Sequence, residues 1–111
     1  MTVPEEAGYA DGMAVDADGG VWVAMYFGSA VHRYDPNGTL TEVIELPVRK
    51  VTSVCFGGRD LRDLYITTAR AGLTADELIE QPHAGDVFVV SGAGHGQPSV
   101  PFDLATIEGH C

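Results

Sequence analysis

Apolar residues in this chain come in short runs broken by turn chemistry. Gly12 to Val15, Val21 to Tyr26, Val31 to Tyr34 and Leu40 to Leu46 are four such runs, rich in β-branched and aromatic residues. Asp18-Gly19-Gly20 and Asp35-Pro36-Asn37-Gly38 stand between them and supply residues that tolerate the positive φ of tight hairpin connections. The spacing predicts one four-stranded antiparallel meander. Its first two strands are apolar at consecutive positions rather than alternating, as expected of strands covered on both faces.

A second unit repeats the first. Ser53 to Phe56 and Leu64 to Thr68 match Gly12 to Val15 and Val21 to Met25, at offsets of 41 and 43 residues. That is the period of about 40 to 50 residues expected of β-propeller blades. The third strand of the second unit, Asp86 to Val90, is displaced further, so about 12 residues are inserted ahead of it. A weaker last strand is expected within Ser99 to Leu104. The insertion carries its own helical signature: Thr74 and Glu77 form a capping box, and Leu73 and Leu78 sit at the positions of a hydrophobic staple. A short helix over residues 75–80 is predicted, stopped near Pro82 and covering the outer face of a blade.

The fold class is therefore all-β, a partial propeller of about two blades over residues 1–111 with one short inserted helix. Two blades cannot close a ring, because each blade needs neighbours on both faces to bury its sheets. The chain reads as a piece of a larger ring. Trp22 in the first unit and Tyr65 in the second hold equivalent places and point to core packing between blades.

The repeat singles out one residue. Asp11 corresponds to Thr52, and a position where a repeat exchanges a carboxylate for a hydroxyl is not required by the fold itself. At the start of an innermost strand, this carboxylate would sit near the ring axis, where oxygen ligands suit hard divalent cations. A turn-capping aspartate is the other reading of the same position.

Composition narrows the field further. Sixteen acidic against six basic residues give a net charge of −10, which repels phosphate backbones and anionic lipid. No nucleic-acid partner is expected. The longest apolar run, Val21 to Phe27, is far too short to span a bilayer, and the acidic Met1-to-Glu6 segment is unlike a secretory signal. The expectation is a cytoplasmic protein without a membrane partner. Cys55 and Cys111 make neither a disulfide framework nor a zinc spacing, and Cys55 reads as a small core residue.

Other signals carry less. Asp16-x-Asp18 opens like a calcium loop but lacks the later ligands and the glycine, so it reads as a hairpin turn. His32, His83, His95 and His110 are scattered and read as surface or turn residues. Glycines 92, 94 and 96 suggest a flexible loop rather than a phosphate cradle. Arg70, which with Thr67 and Thr68 lies at the end of a strand, is expected to make a structural salt bridge.

Across nearly the whole chain, Val3-Pro4-Glu5-Glu6, Tyr9-Ala10-Asp11-Gly12, Val21-Trp22-Val23-Ala24, Arg33-Tyr34-Asp35-Pro36-Asn37-Gly38, Thr52-Ser53 and Leu64 to Arg70 stand in this order. Together they resemble the C-terminal part of the regucalcin, senescence marker protein and gluconolactonase family. The resemblance implies a six-bladed propeller with one divalent metal on its axis, Ca²⁺ or one of Zn²⁺, Mg²⁺ and Mn²⁺. It implies hydrolysis of a small-molecule sugar lactone, with Asp11 as metal ligand and as the catalytic proton acceptor. The family's other ligands, a glutamate and an asparagine, lie upstream of anything in this chain, and Ala10 stands where the family usually has proline.

Three functions follow from these readings. The first is a metal-dependent lactone hydrolase to which this chain supplies one ligand. The second is a non-catalytic calcium-binding or protein-interaction propeller module. The third is an inactive truncated product. In every case the uncovered blade faces predict self-association.

Overall fold

β2 (Val21–Tyr26) is apolar at every position and pairs antiparallel on both sides, with β1 (Tyr9–Val15) and β3 (Ala30–Tyr34). β4 (Leu40–Glu45) completes a sheet of order β1-β2-β3-β4. β5 (Val51–Gly57), β6 (Asp63–Thr68) and β7 (Val87–Val90) form a second antiparallel sheet in sequence order. α1 (Ala75–Glu80) is inserted between β6 and β7, within the second of these two propeller blades, and the whole comes from a computed structural model that describes residues 8–97. The last strand expected within Ser99 to Leu104, together with His110 and Cys111, falls outside the described residues. Gly19 and Gly38 have φ of 82° and 85°, as the two predicted hairpin turns require.

The repeat holds at the level of single residue pairs. Ala14 faces Trp22 across β1 and β2, and Cys55 faces Tyr65 across β5 and β6, which preserves the offsets of 41 and 43 residues. The irregularity repeats as well. One bulge falls between Ala10 and Met13, the other between Val51 and Ser53.

The main core lies between the blades. Trp22, Ala24 and Val31 of the first pack against Val51, Val54, Leu64 and Ile66 of the second, and Phe56 meets the Trp22 ring edge-on at 5.7 Å. A second cluster, Val23, Met25 and Tyr34, lies on the other face of the first blade, so β2 is buried on both faces as its sequence predicts. Tyr65 shares the register position of Trp22 but is only half-buried, because it points away from the first blade.

Cys55 corrects the core assignment made from the sequence: it is exposed. Its run Val54-Cys55-Phe56 looks uniformly apolar, yet alternation along β5 turns Val54 toward the first blade and Cys55 to the opposite face.

α1 has both halves of the predicted capping box, Thr74 Oγ1 accepting from Glu77 N and Glu77 Oε1 accepting from Thr74 N. It does not cover the blade: none of its residues is buried, and Ile79 is 77% exposed. The anchor is the residue after it. Gln81 is buried and its Oε1 accepts from Arg49 N at 2.9 Å, which ties the inserted segment to the linker between the blades. Among the described residues no helix is long and apolar enough to cross a membrane.

Residues 93–97 form a strap rather than a flexible loop. Ala17 N donates to His95 O at 2.7 Å, Gly96 N to Leu61 O at 2.7 Å, and Gln97 Nε2 to Asp16 O at 2.9 Å. The strap thus joins the β1–β2 hairpin to the β5–β6 hairpin. Gly96 is fixed by packing, since a Cβ there would collide with the Phe56 side chain.

Candidate functional site

The bulges decide where Asp11 goes. A bulge leaves one residue unpaired and re-aims its side chain. Ala10 pairs with Met25 and Met13 with Val23, so Asp11 and Gly12 together face Ala24 alone. Asp11 is exposed there, near the start of an edge strand that packs against β5. The approach of the two inner strands is close. A Cβ on Gly12 would strike the Ser53 side chain, so glycine after Asp11 is what lets the two bulges meet.

Thr52 occupies the matching bulge in the second blade. Its hydroxyl is within 2.7 Å of Thr67 Oγ1, so this hydroxyl closes on its own sheet. No ion pair among the described residues involves Asp11. The equivalent positions thus differ in chemistry and in engagement.

Other residues singled out in the sequence take structural places. Thr68 Oγ1 donates to Asp86 O at 2.6 Å and accepts from Gly85 N at 3.0 Å. Arg70 forms no salt bridge among the described residues; its stem lies 3.3 Å from where a Cβ on Gly85 would be. His83 Nδ1 lies 3.0 Å from Asp86 Oδ2 on the surface. His32 departs from the surface assignment. It sits half-buried in β3 with Nδ1 3.2 Å from the Tyr34 hydroxyl, and burial holds its pKa below the ordinary value.

A cluster at the same end of the sheets as Asp11 was not foreseen. Tyr9 pairs with Tyr26, and Phe27 follows in the tight turn with φ of 68°. The Lys50 ammonium lies 5.8 Å from the Tyr26 ring centre and 5.6 Å from that of Phe27, with Arg49 5.6 Å from Phe27. Lys50 also donates to Ala71 O at 2.6 Å. Two of the six basic residues in an acidic chain therefore stand on aromatic faces at this end. The adjacency of Arg49 and Lys50 was the one available signal.

Asp16 closes the opposite end of β1. It is 2% exposed, and its carboxylate accepts from Trp22 Nε1 at 2.8 Å, Arg33 Nε at 2.7 Å, Asp18 N at 3.0 Å and Gly20 N at 2.8 Å. The turn reading of this segment is borne out, and every ligand direction of Asp16 is turned inward. Burial pushes the carboxyl up, but the four hydrogen bonds outweigh it and hold the pKa at about 2, below the usual carboxylate range. A lowered folded pKa contributes stability that is present above the unfolded value. Thermal melts should therefore hold steady above about pH 4 and lose stability progressively from there down to about pH 2. Unchanged melting across that window would remove Asp16 from the account.

Among the described residues, no three or more His, Cys, Asp or Glu side chains come together to hold a metal ion. Asp11 fits as one oxygen ligand of a divalent cation and falls short of a site by itself, since calcium takes about six to eight oxygens.

Comparison with known proteins gives matches along most of the chain. The family model described as SMP-30/gluconolactonase/LRE-like region matches residues 1–70. Regucalcin of Sus scrofa is 46% identical over 94 residues, covering 83% of this chain and 31% of that protein. Regucalcin of Oryctolagus cuniculus is 48% identical over 85 residues, covering 76% and 28%. Among solved structures, a calcium-binding protein, regucalcin, from Agrobacterium tumefaciens superposes with a TM-score of 0.78 at 33% identity, over 81% of this chain and 30% of that one. A luciferin-regenerating enzyme superposes with a TM-score of 0.77 at 32% identity, over 90% and 34%. The chain spans about a third of the length of these relatives.

Proposed function

Because this chain belongs to the SMP-30/gluconolactonase/LRE-like family, we propose that it forms part of a metal-dependent hydrolase of sugar lactones. Asp11 is its contribution to the site. The observation that carries this reading is the pair of matched bulges: both blades have one at the equivalent place, but only the first puts an exposed carboxylate there. Asp11 acts as metal ligand first and as proton acceptor second, because a cation beside a carboxylate lowers its basicity.

A divalent cation, when bound, would polarise the lactone carbonyl and stabilise the developing oxyanion. The chain's own residues have simpler tasks. Asp11 holds negative charge at the meeting point of the inner strands and can take a proton from an attacking water. Gly12 keeps that strand start close to the neighbouring blade. The described residues supply one ligand, so the remaining oxygens must come from outside them.

The test uses a full-length ring of this family carrying this segment, with hydrolysis of a sugar lactone followed by proton release. Activity that disappears with chelator and returns with added divalent cation is the expected result. Hydrolysis indifferent to chelator would overturn the metal reading. Calcium binding without any turnover would favour a non-catalytic calcium-binding propeller, the reading to which the calcium-binding solved relative lends support.

A further inference from the structure

The two blades make the same connection in different ways. Blade 1 (β1 to β4) joins its second and third strands by the tight turn at residues 27–29, whereas blade 2 (β5 to β7) joins the matching pair by residues 69–86, which include α1. Backbone pairing fixes the end of the sheets at which this longer connection leaves. Tyr9, at the start of β1, pairs with Tyr26 at the end of β2, and Tyr26 in turn bridges to Lys50, just ahead of β5. Val51 then pairs with Thr68, the last residue of β6. The insertion therefore leaves blade 2 at the end where Asp11 stands. β5 approaches β1 closely at Ser53 and Gly12, and β6 lies one strand spacing of about 4.8 Å beyond β5.

The base of the insertion is tied at both its ends. At the entry, Ala69 N donates to Lys50 O at 2.9 Å, and the Lys50 ammonium donates to Ala71 O at 2.6 Å. At the exit, Gln81 Oε1 accepts from Arg49 N at 2.9 Å, while the Thr68 hydroxyl accepts from Gly85 N at 3.0 Å and donates to Asp86 O at 2.6 Å. Residues 49, 50 and 68 thus set where the segment stands.

Lys50 is the costly member of this set. It is 9% exposed and forms no ion pair among the described residues, and the repeat offset of 41 makes Tyr9 its counterpart in blade 1. Burying an ammonium without a counter-charge is unfavourable, so an apolar or aromatic side chain would serve packing better here. What the ammonium adds is a directed hold. The Tyr26 and Phe27 rings, 5.8 and 5.6 Å away, favour its charge, and its bond to Ala71 O pins the insertion to them. Gly72 lets the segment pass this close, since a Cβ there would lie 3.2 Å from the Lys50 Nζ.

We propose that residues 69–86 form a wall of the substrate site, placed by Lys50 as its positioning residue, and that this wall admits a lactone of one sugar ring and excludes one that carries a second. The proposal rests on the reading of Asp11 given above, which puts the site at this end of the sheets.

The test uses the full-length ring carrying this segment and titration calorimetry with gluconate and lactobionate, the acids released by a one-ring and a two-ring lactone. The unaltered protein should bind gluconate more tightly by about tenfold or more, a scale on which shaped sites discriminate. Lys50→Met keeps the stem and loses the ammonium, so it should bring the two affinities to within about threefold of each other, whereas Lys50→Arg should keep most of the preference. Gly72→Ala disturbs the same contact from the insertion's side and should act like Lys50→Met, which covers the case in which Lys50→Met fails to fold. Equal binding of the two acids by the unaltered protein, binding of neither, or a preference unchanged in the variants would overturn the wall. Parallel weakening of both acids together with a fall in melting temperature would also overturn it, leaving Lys50 a role in stability alone. Lactone hydrolysis with and without chelator is followed on the same samples. Hydrolysis that is absent or indifferent to chelator, with the preference still lost in Lys50→Met, would overturn the metal reading and leave the wall standing.

Discussion

Asp11→Ala, in a full-length ring of the family carrying this segment, is expected to reduce metal-dependent lactone hydrolysis by about 10²-fold or more. Losing one group that stabilises charge in the transition state acts on turnover at that scale. The loss should appear without a change in melting temperature, because Asp11 is exposed and enters no ion pair among the described residues. Thr52→Ala is the matched control in the second bulge. It removes one hydroxyl contact with Thr67, worth about 0.5–1.5 kcal/mol, and should leave hydrolysis intact. Full activity in Asp11→Ala, or an equal loss in Thr52→Ala, would return Asp11 to a backbone role.

Asp16→Ala is expected to cost about 3–5 kcal/mol of stability, the scale for breaking one partner out of a buried ion pair. Four donors converge on this carboxylate, and the Arg33 guanidinium would remain beside Trp22 with no counter-charge from it. Urea unfolding of the chain should shift to a much lower midpoint, or the variant should fail to fold. Asp16→Asn keeps the shape and removes the charge, so it separates the ion pair from packing and should fall between the two. A loss below about 1 kcal/mol, the range of an exposed salt bridge, would show that the network carries little.

Much of the fold was legible because β2 must be apolar on both faces. Seven consecutive apolar residues from Val21 to Phe27, bounded by turn residues, suit a short strand enclosed on two sides. The helix was legible for a local reason, since its capping box lies within four residues. Asp16 was only half legible: its turn bonds to Asp18 and Gly20 are local, but its pairing with Arg33 spans 17 residues. Cys55 was misplaced because apolar runs do not state which face has a neighbour. The glycines of the strap looked like flexibility in the sequence. In the fold they are points of contact, a difference that depends on Phe56 and Trp22 arriving from elsewhere. Asp11 stood out as a candidate through the repeat, and Gly12 beside it was the one local mark of the bulge that leaves it exposed.

The strap also bears on the order in which the chain folds. The bond from Gln97 to Asp16 joins positions 81 apart, whereas most strand pairs here form between neighbours in sequence. Hairpins of that local kind close in microseconds, but a closure across most of the chain must wait until the intervening segments are in place. The β1–β2 hairpin therefore receives its last hydrogen bonds after blade 2 has formed. A nascent chain emerging N-terminus first would hold its first sheet without this clasp until residue 97 had cleared the ribosome.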